Sequence, residues 1–248
     1  MEPSTEKNLS LIATAKSLAN TPWCEQYERM ISGMLYDPLA PELMQSRYRA
    51  RKLMSKYNAP IPEDISFEDL TQQREKFLKQ LLGQVGKDAF IEPPLMVDYG
   101  CNIKIGEGFY ANFNTTILDC SLIIIGDHVA FGPNVSILAA THETSVDSRR
   151  NGVEFAKEVV IGDNCWIGAG VSILAGVHIG KGCTIGAGAV VTKNIPPFSV
   201  AVGSPARVVK QVEPVKLKDG GLSSWVVSSR ICIRFYLGDR YIFVSTPF

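Results

Sequence analysis

Between residues 161 and 191 an aliphatic side chain recurs at every sixth position: Ile161, Ile167, Ile173, Ile179, Ile185 and Val191. If such residues fill roughly a quarter of an average chain, six consecutive hits arise by chance on the order of once in several thousand trials. Glycine follows four of them, at Gly162, Gly168, Gly180 and Gly186. A stride of six fits neither helical periodicity nor simple strand alternation. It predicts short strands joined by turns, with one aliphatic per stride pointing inward and Gly, Asn or Asp at the corner. Three strides close a triangular coil, and stacked coils form a parallel β-helix with strands about 4.8 Å apart. The fifth place of the stride holds Val129, Val135, Cys165, Val171, Val177, Cys183 and Ala189, which suggests a second inward position. Upstream the frame runs through Ile125, Phe131 and Ile137, and earlier through Ile105, Ala111 and Ile117, with a slip of two residues between Ile123 and Ile125.

The rest of the chain divides around this repeat. Residues 1–21 form an N-terminal extension, 22–85 a helical cap region, 86–212 the repeat and 213–248 an atypical tail. Within 22–85, Trp23, Tyr27, Met30 and Met34 share one helical face, beginning at Thr21-Pro22 as N-cap and first turn. A second helix is expected from Pro41 to Lys56 and a third from Phe67 to Leu82, with Ser66 and Asp69 as a capping-box variant. These helices would cover an end or edge of the coil, which otherwise exposes unpaired strand groups. The repeat stops at Thr141-His142 and resumes at Val159, leaving a polar loop over 143–158. Loops of this length inside compact domains are usually functional. The segment from Gly220 to Phe248 alternates apolar residues with Arg230, Arg234, Asp239 and Arg240; it fits an extra strand or hairpin, a partner-binding segment or a stretch without selected structure, and low order is the expectation.

Composition narrows the partners. With 25 basic and 25 acidic residues the net charge is zero, which favours neither nucleic acid nor an anionic membrane. The N-terminus lacks a secretory pattern and no apolar run of about 20 residues occurs, so a cytoplasmic setting is expected. Six cysteines in 248 residues show neither disulfide-scaffold density nor a C-x-x-C zinc pair. Cys165 and Cys183, one coil apart, would stack as small buried residues rather than bond.

Of three histidines, His128 and His178 occupy turn-like or outward places inside intact strides, whereas His142 stands where the coil opens into the loop. An imidazole is matched to removing a hydroxyl proton at neutral pH. Glu154, in the same loop, can fold back to orient the ring. Asn112 offers a neutral amide for an acceptor hydroxyl or an oxyanion, or is one rung of an asparagine ladder.

At these residues the chain resembles the maltose and galactoside O-acetyltransferases and their nodulation-protein relatives. The resemblance is carried by Gly33-Met34-Leu35-Tyr36-Asp37-Pro38, Asp98-Tyr99-Gly100, Phe109-Tyr110-Ala111-Asn112-Phe113-Asn114, Gly132-Pro133-Asn134-Val135, Ala140-Thr141-His142, Asn164-Cys165-Trp166-Ile167-Gly168 and Gly203-Ser204-Pro205-Ala206-Arg207. It spans about residues 22 to 212 in order. It implies a left-handed parallel β-helix, a homotrimer with each site between two subunits, and acetyl transfer from acetyl-CoA to a sugar hydroxyl without a metal. It further implies His142 as the catalytic histidine and Glu154 as its orienting glutamate. Acceptor contacts would fall on Asp37, Asp98, Asn112 and Asp119, with Trp166 bordering the acyl site. Acetyl-CoA contacts would fall on Ala169, Ala187, Thr192, Arg207 and Lys210. The chain departs from the pattern at Glu158, where the family often has proline, and in its tail. A non-catalytic trimeric β-helix is the competing reading. A metal-dependent hydratase would need several histidines converging on one zinc, and His128, His142 and His178 lie in separate strides.

Overall fold

In the computed structural model residues 2–214 are described, and the chain divides into two units, Met1–Val212 and Glu213–Phe248. The expectation of low order over Gly220 to Phe248 falls outside the described residues. The repeat folds as three parallel sheets. The first face stacks Gln84–Val85, Ile103–Ile105, Ile123–Ile125, Val159–Ile161 and His178–Ile179. The second runs from Phe90–Ile91 through Tyr110–Ala111, Ala130–Phe131, Trp166–Ile167 and Thr184–Ile185 to Ser199–Val202, and Arg207–Gln211 folds back antiparallel on its edge. The third stacks Leu95–Val97, Thr115–Leu118, Ser136–Leu138, Ser172–Leu174 and Val190–Val191.

Inward side chains stack in register. Ile105, Ile125, Ile161 and Ile179 form one column, and Ile117, Ile137, Ile173 and Val191 another, each no more than 2 % exposed. The fifth-place residues of the stride are buried beside them. Each such side chain contributes roughly 1.5–3 kcal/mol relative to an exposed one. The glycine after the first-face aliphatic is needed because the next coil passes so close. A Cβ on Gly162 would lie 2.6 Å from the Lys181 nitrogen, and one on Gly180 2.4 Å from the Pro197 nitrogen. Corners between the first and second faces need a left-handed residue, and Asp88, Gly108, His128, Asn164, Gly182 and Phe198 all take positive φ there. His128 is thus a corner residue.

The two-residue slip has a structural cause. Ile123 pairs with Ile103, 20 residues earlier, whereas His178 pairs with Val160, 18 residues earlier. The early coils spend their two extra residues at the corner between the third and first faces, around Tyr99-Gly100 and Cys120-Ser121. That corner is wider, and it is where the helices dock. Helix α1 (Leu9–Ala15), which the sequence reading placed inside an extension, and α2 (Glu25–Ile31) join a second core with Tyr99, Cys101, Cys120 and Leu122. Helix α2 starts later than expected. Its N-cap is Cys24, whose sulfur accepts from the Tyr27 amide at 3.3 Å, and Thr21-Pro22 and Met34 lie outside it. Helices α3 (Pro41–Tyr57) and α4 (Phe67–Leu81) cover the start of the coil through Ala50, Met54, Tyr57, Leu78 and Leu81. The Tyr57 hydroxyl donates to the Ile91 carbonyl at 2.5 Å, and the Leu95 amide donates to the Asn58 side chain at 2.9 Å. The Asp69 amide donates to the Ser66 hydroxyl at the N-cap of α4. The Cys165 and Cys183 thiols are free, and each donates to a carbonyl of the following coil, Gly180 and Pro196, at 3.1 Å.

Candidate active site

The polar loop leaves the coil through an antiparallel ribbon. Ala140 pairs with Ala156 and Thr141 with Phe155, a register that sets His142 opposite Glu154. Helix α5 (Val146–Arg150) crosses the tip of the loop, capped by Ser145. Below the ribbon the coil continues as though uninterrupted, with Val159 on Ile123 and Ser172 on Ser136.

His142 Nε2 stands 3.7 Å from Glu154 Oε2, within ion-pairing reach but longer than a hydrogen bond. Catalytic contacts in an unliganded site are often long and tighten only with substrate bound. The His142 side chain is 54 % exposed and that of Glu154 18 %. The other carboxylate oxygen, Oε1, accepts a 2.5 Å bond from the Tyr36 hydroxyl. Tyr36 is 1 % exposed, and its backbone also bonds Glu154 in both directions, at 3.0 and 3.4 Å. Burial above all, then Cys120 and Glu154, drives its phenol far above its ordinary range, so Tyr36 is a fixed donor. The sequence reading quoted Tyr36 within a matching segment but gave it no role. A buried tyrosine facing a loop glutamate 118 residues away leaves no local signal.

Asp98 lies beside this cluster. The Cys120 thiol donates to Asp98 Oδ2 at 3.3 Å, and burial, then the carboxylates of Asp98, Glu154 and Asp119, keep that thiol protonated. Asp37 is exposed in the turn after Tyr36. Its Oδ1 accepts from the Leu39 amide, and Arg47 pins the turn by donating to the Pro38 carbonyl and the Tyr99 hydroxyl. Asp119, expected among acceptor contacts, does not reach the surface. It is fully buried, with Oδ1 taken by the Asp98 and Tyr99 amides and Oδ2 by the Asn102 amide.

The remaining expected residues lie elsewhere in the chain. Asn112 sits at the corner between the second and third faces, its Oδ1 accepting from the Phe113 amide at 2.7 Å. Ala169 and Ala187 line the same corner in later coils, and Trp166 projects from the second face, 59 % exposed. Thr192 is exposed on the His142 side, and Arg207 and Lys210 stand exposed on Arg207–Gln211, the last strand among the described residues. His142 and Asn112 stand at different corners of the coil, with the third face between them. At Glu158, Oε1 lies 3.5 Å from His178 Nε2, joining the loop exit to the next coil. Among the described residues no group of three or more His, Cys, Asp or Glu is placed to hold a metal ion, and no helix is long and apolar enough to cross a membrane.

Residues 29–86 match the maltose acetyltransferase hexapeptide capping motif, and residues 158–193 match the bacterial transferase hexapeptide model of six repeats. A galactoside O-acetyltransferase of Lactococcus lactis is 41 % identical over 198 residues, 79 % of this chain and 93 % of the relative. The crystal structure of a maltose O-acetyltransferase from Clostridium difficile aligns with a TM-score of 0.73 at 42 % identity, covering 77 % of this chain and 99 % of that one. A galactoside acetyltransferase in complex with coenzyme A aligns with a TM-score of 0.71 at 37 % identity, covering 82 % and 100 %.

Proposed function

Since the chain belongs to the hexapeptide-repeat family of maltose and galactoside O-acetyltransferases and is an acetyl-CoA-dependent O-acetyltransferase, we propose that its acceptor is a sugar hydroxyl and His142 its general base. The observation that carries this reading is the pairing of His142 with Glu154 at the mouth of the ribbon. The carboxylate faces one ring nitrogen and leaves the other for the acceptor. The imidazole takes the hydroxyl proton as the oxygen attacks the thioester carbonyl. The tetrahedral adduct then collapses, expelling the CoA thiolate, which recovers the proton from the imidazolium. Glu154 stabilises that transient cation, and no acyl-enzyme forms.

The second-to-third corner suits acetyl-CoA. Ala169-Gly170 and Ala187-Gly188 present little beyond backbone, and a Cβ on Gly188 would meet nothing within 4 Å. This leaves room for the pantetheine arm; Arg207 and Lys210 would meet the phosphates, and Thr192, on the His142 side, would contact the cofactor across the subunit junction. Asp37 and Asp98 would hold the sugar, and Trp166 would border the acetyl group. Asn112 would hold the acceptor or the oxyanion. Because the third face separates the two corners, the reading takes the active form as a homotrimer with each site between two subunits, in a cytoplasmic setting.

The test is thiol release from acetyl-CoA with a panel of maltose, glucose and galactosides, comparing the unaltered chain with His142→Ala. Loss of the base should lower turnover by about 10²–10⁴ while CoA binding stays within a few-fold. Near-normal turnover in His142→Ala would remove His142 from the mechanism, and sugar-independent release would remove the acceptor class.

A further inference from the structure

We infer that Tyr36 is a positioning residue for the transfer, holding Glu154 so that its free oxygen faces His142. The inference rests on the reading of His142 as base, and it adds a group outside the loop.

Glu154 has a flexible side chain on a loop strand, and His142 alone is too exposed to fix it. Tyr36 engages the same residue three times, through its hydroxyl and through both backbone directions. Its ring is packed in the second core with Met30, Tyr99, Cys120 and Ala156, so the donor cannot follow the carboxylate if the loop shifts. With Oε1 taken by a buried donor, only Oε2 is left to face the imidazole. A preorganised partner of this kind acts most where charge develops, here on the imidazolium.

The support continues behind Tyr36. Ser4 bridges Met34, its amide donating to the Gly33 carbonyl at 2.7 Å, and Lys7 bonds Glu25 and Glu28 of α2 at 2.6 and 2.7 Å. Four backbone segments therefore lie side by side from the N-terminal arm to the histidine: Ser4, Met34–Tyr36, Glu154–Ala156 and Ala140–Thr141.

The deciding experiment is steady-state kinetics of the full chain carrying Tyr36→Phe, alone and combined with Glu154→Ala. Tyr36→Phe should lower kcat about 5- to 20-fold with KM for acetyl-CoA unchanged, and should add nothing once Glu154 is absent. An equal loss in both backgrounds would make Tyr36 merely structural, and an unchanged kcat would end the proposal. Should Tyr36→Phe not fold, 3-fluorotyrosine placed at position 36 keeps the shape and sharpens the donor. A changed kcat then supports the role and an unchanged one overturns it. His142→Ala separates the two ideas. If it stays active the base reading fails, whereas an inactive His142→Ala with a silent Tyr36→Phe removes only this inference.

Discussion

Asp119 has a carboxyl group with no exposed surface, held by three backbone N–H groups at the widened corner. Burial pushes it up to about 7, with the Asp98 carboxylate pushing the same way and the Tyr99 and Asn102 amides pulling down. An unfolded aspartate ionises near about 3.9, so the folded chain keeps this proton over a range where the unfolded chain has lost it. The resulting stabilisation is complete below about 4 and is lost as pH rises through about 7. Unfolding measured across that window should therefore show the native chain losing stability relative to Asp119→Asn, by on the order of 1–4 kcal/mol. A flat difference would mean the amide donors balance burial, and a reversed slope that they outweigh it. The family resemblance offered Asp119 as an acceptor contact. It could not show that the side chain turns inward, because an aspartate in a turn reads the same whether it meets solvent or three amides.

Among the elements, the corners decide whether the coils can stack. A Cβ on Gly86 would fall 2.2 Å from the carbonyl carbon and oxygen of Gly106, backbone that cannot move without parting two coils. Gly86→Ala should cost roughly 2–4 kcal/mol, read as a drop in Tm. Gly188→Ala meets only its own positive φ of 70°, so it should cost about 1–2 kcal/mol. Its larger effect, by the proposed acetyl-CoA path, should be a raised KM for acetyl-CoA. The strands were legible because each stride repeats an identical demand, an aliphatic inward and a small residue at the turn. The slip of two residues was visible too, but its meaning was not. Only the paired register shows that the extra residues widen the corner that receives α1 and α2. Thr21-Pro22 has the pattern of a helix opening, whereas the Cys24 sulfur caps α2 three residues later than Thr21. The hairpin partners of the loop lie 14 and 16 residues apart in sequence, and Tyr36 still further, so neither followed from spacing.

For the whole molecule, His142 and Asn112 lie on two corners separated by the third face. If a site needs His142 from one subunit and Asn112 from its neighbour, His142→Ala and Asn112→Ala should each be nearly inactive alone. Equal amounts unfolded and refolded together should recover about a quarter of normal activity, since half the subunits offer each intact residue and the neighbour must offer the other. No recovery in a mixture that forms trimers would place both residues in one subunit's own site. The interrupted coil has a wider consequence. Because the strands on either side of the loop pair as though nothing lay between them, the excursion works as a port in the solenoid wall, closed at its base by the ribbon. Segments of other length and composition can be carried there without disturbing the stack, provided the ribbon ends and the histidine and glutamate beside them are kept. Whatever the excursion contributes beside the histidine can then be exchanged in the laboratory independently of the thermal robustness of the scaffold.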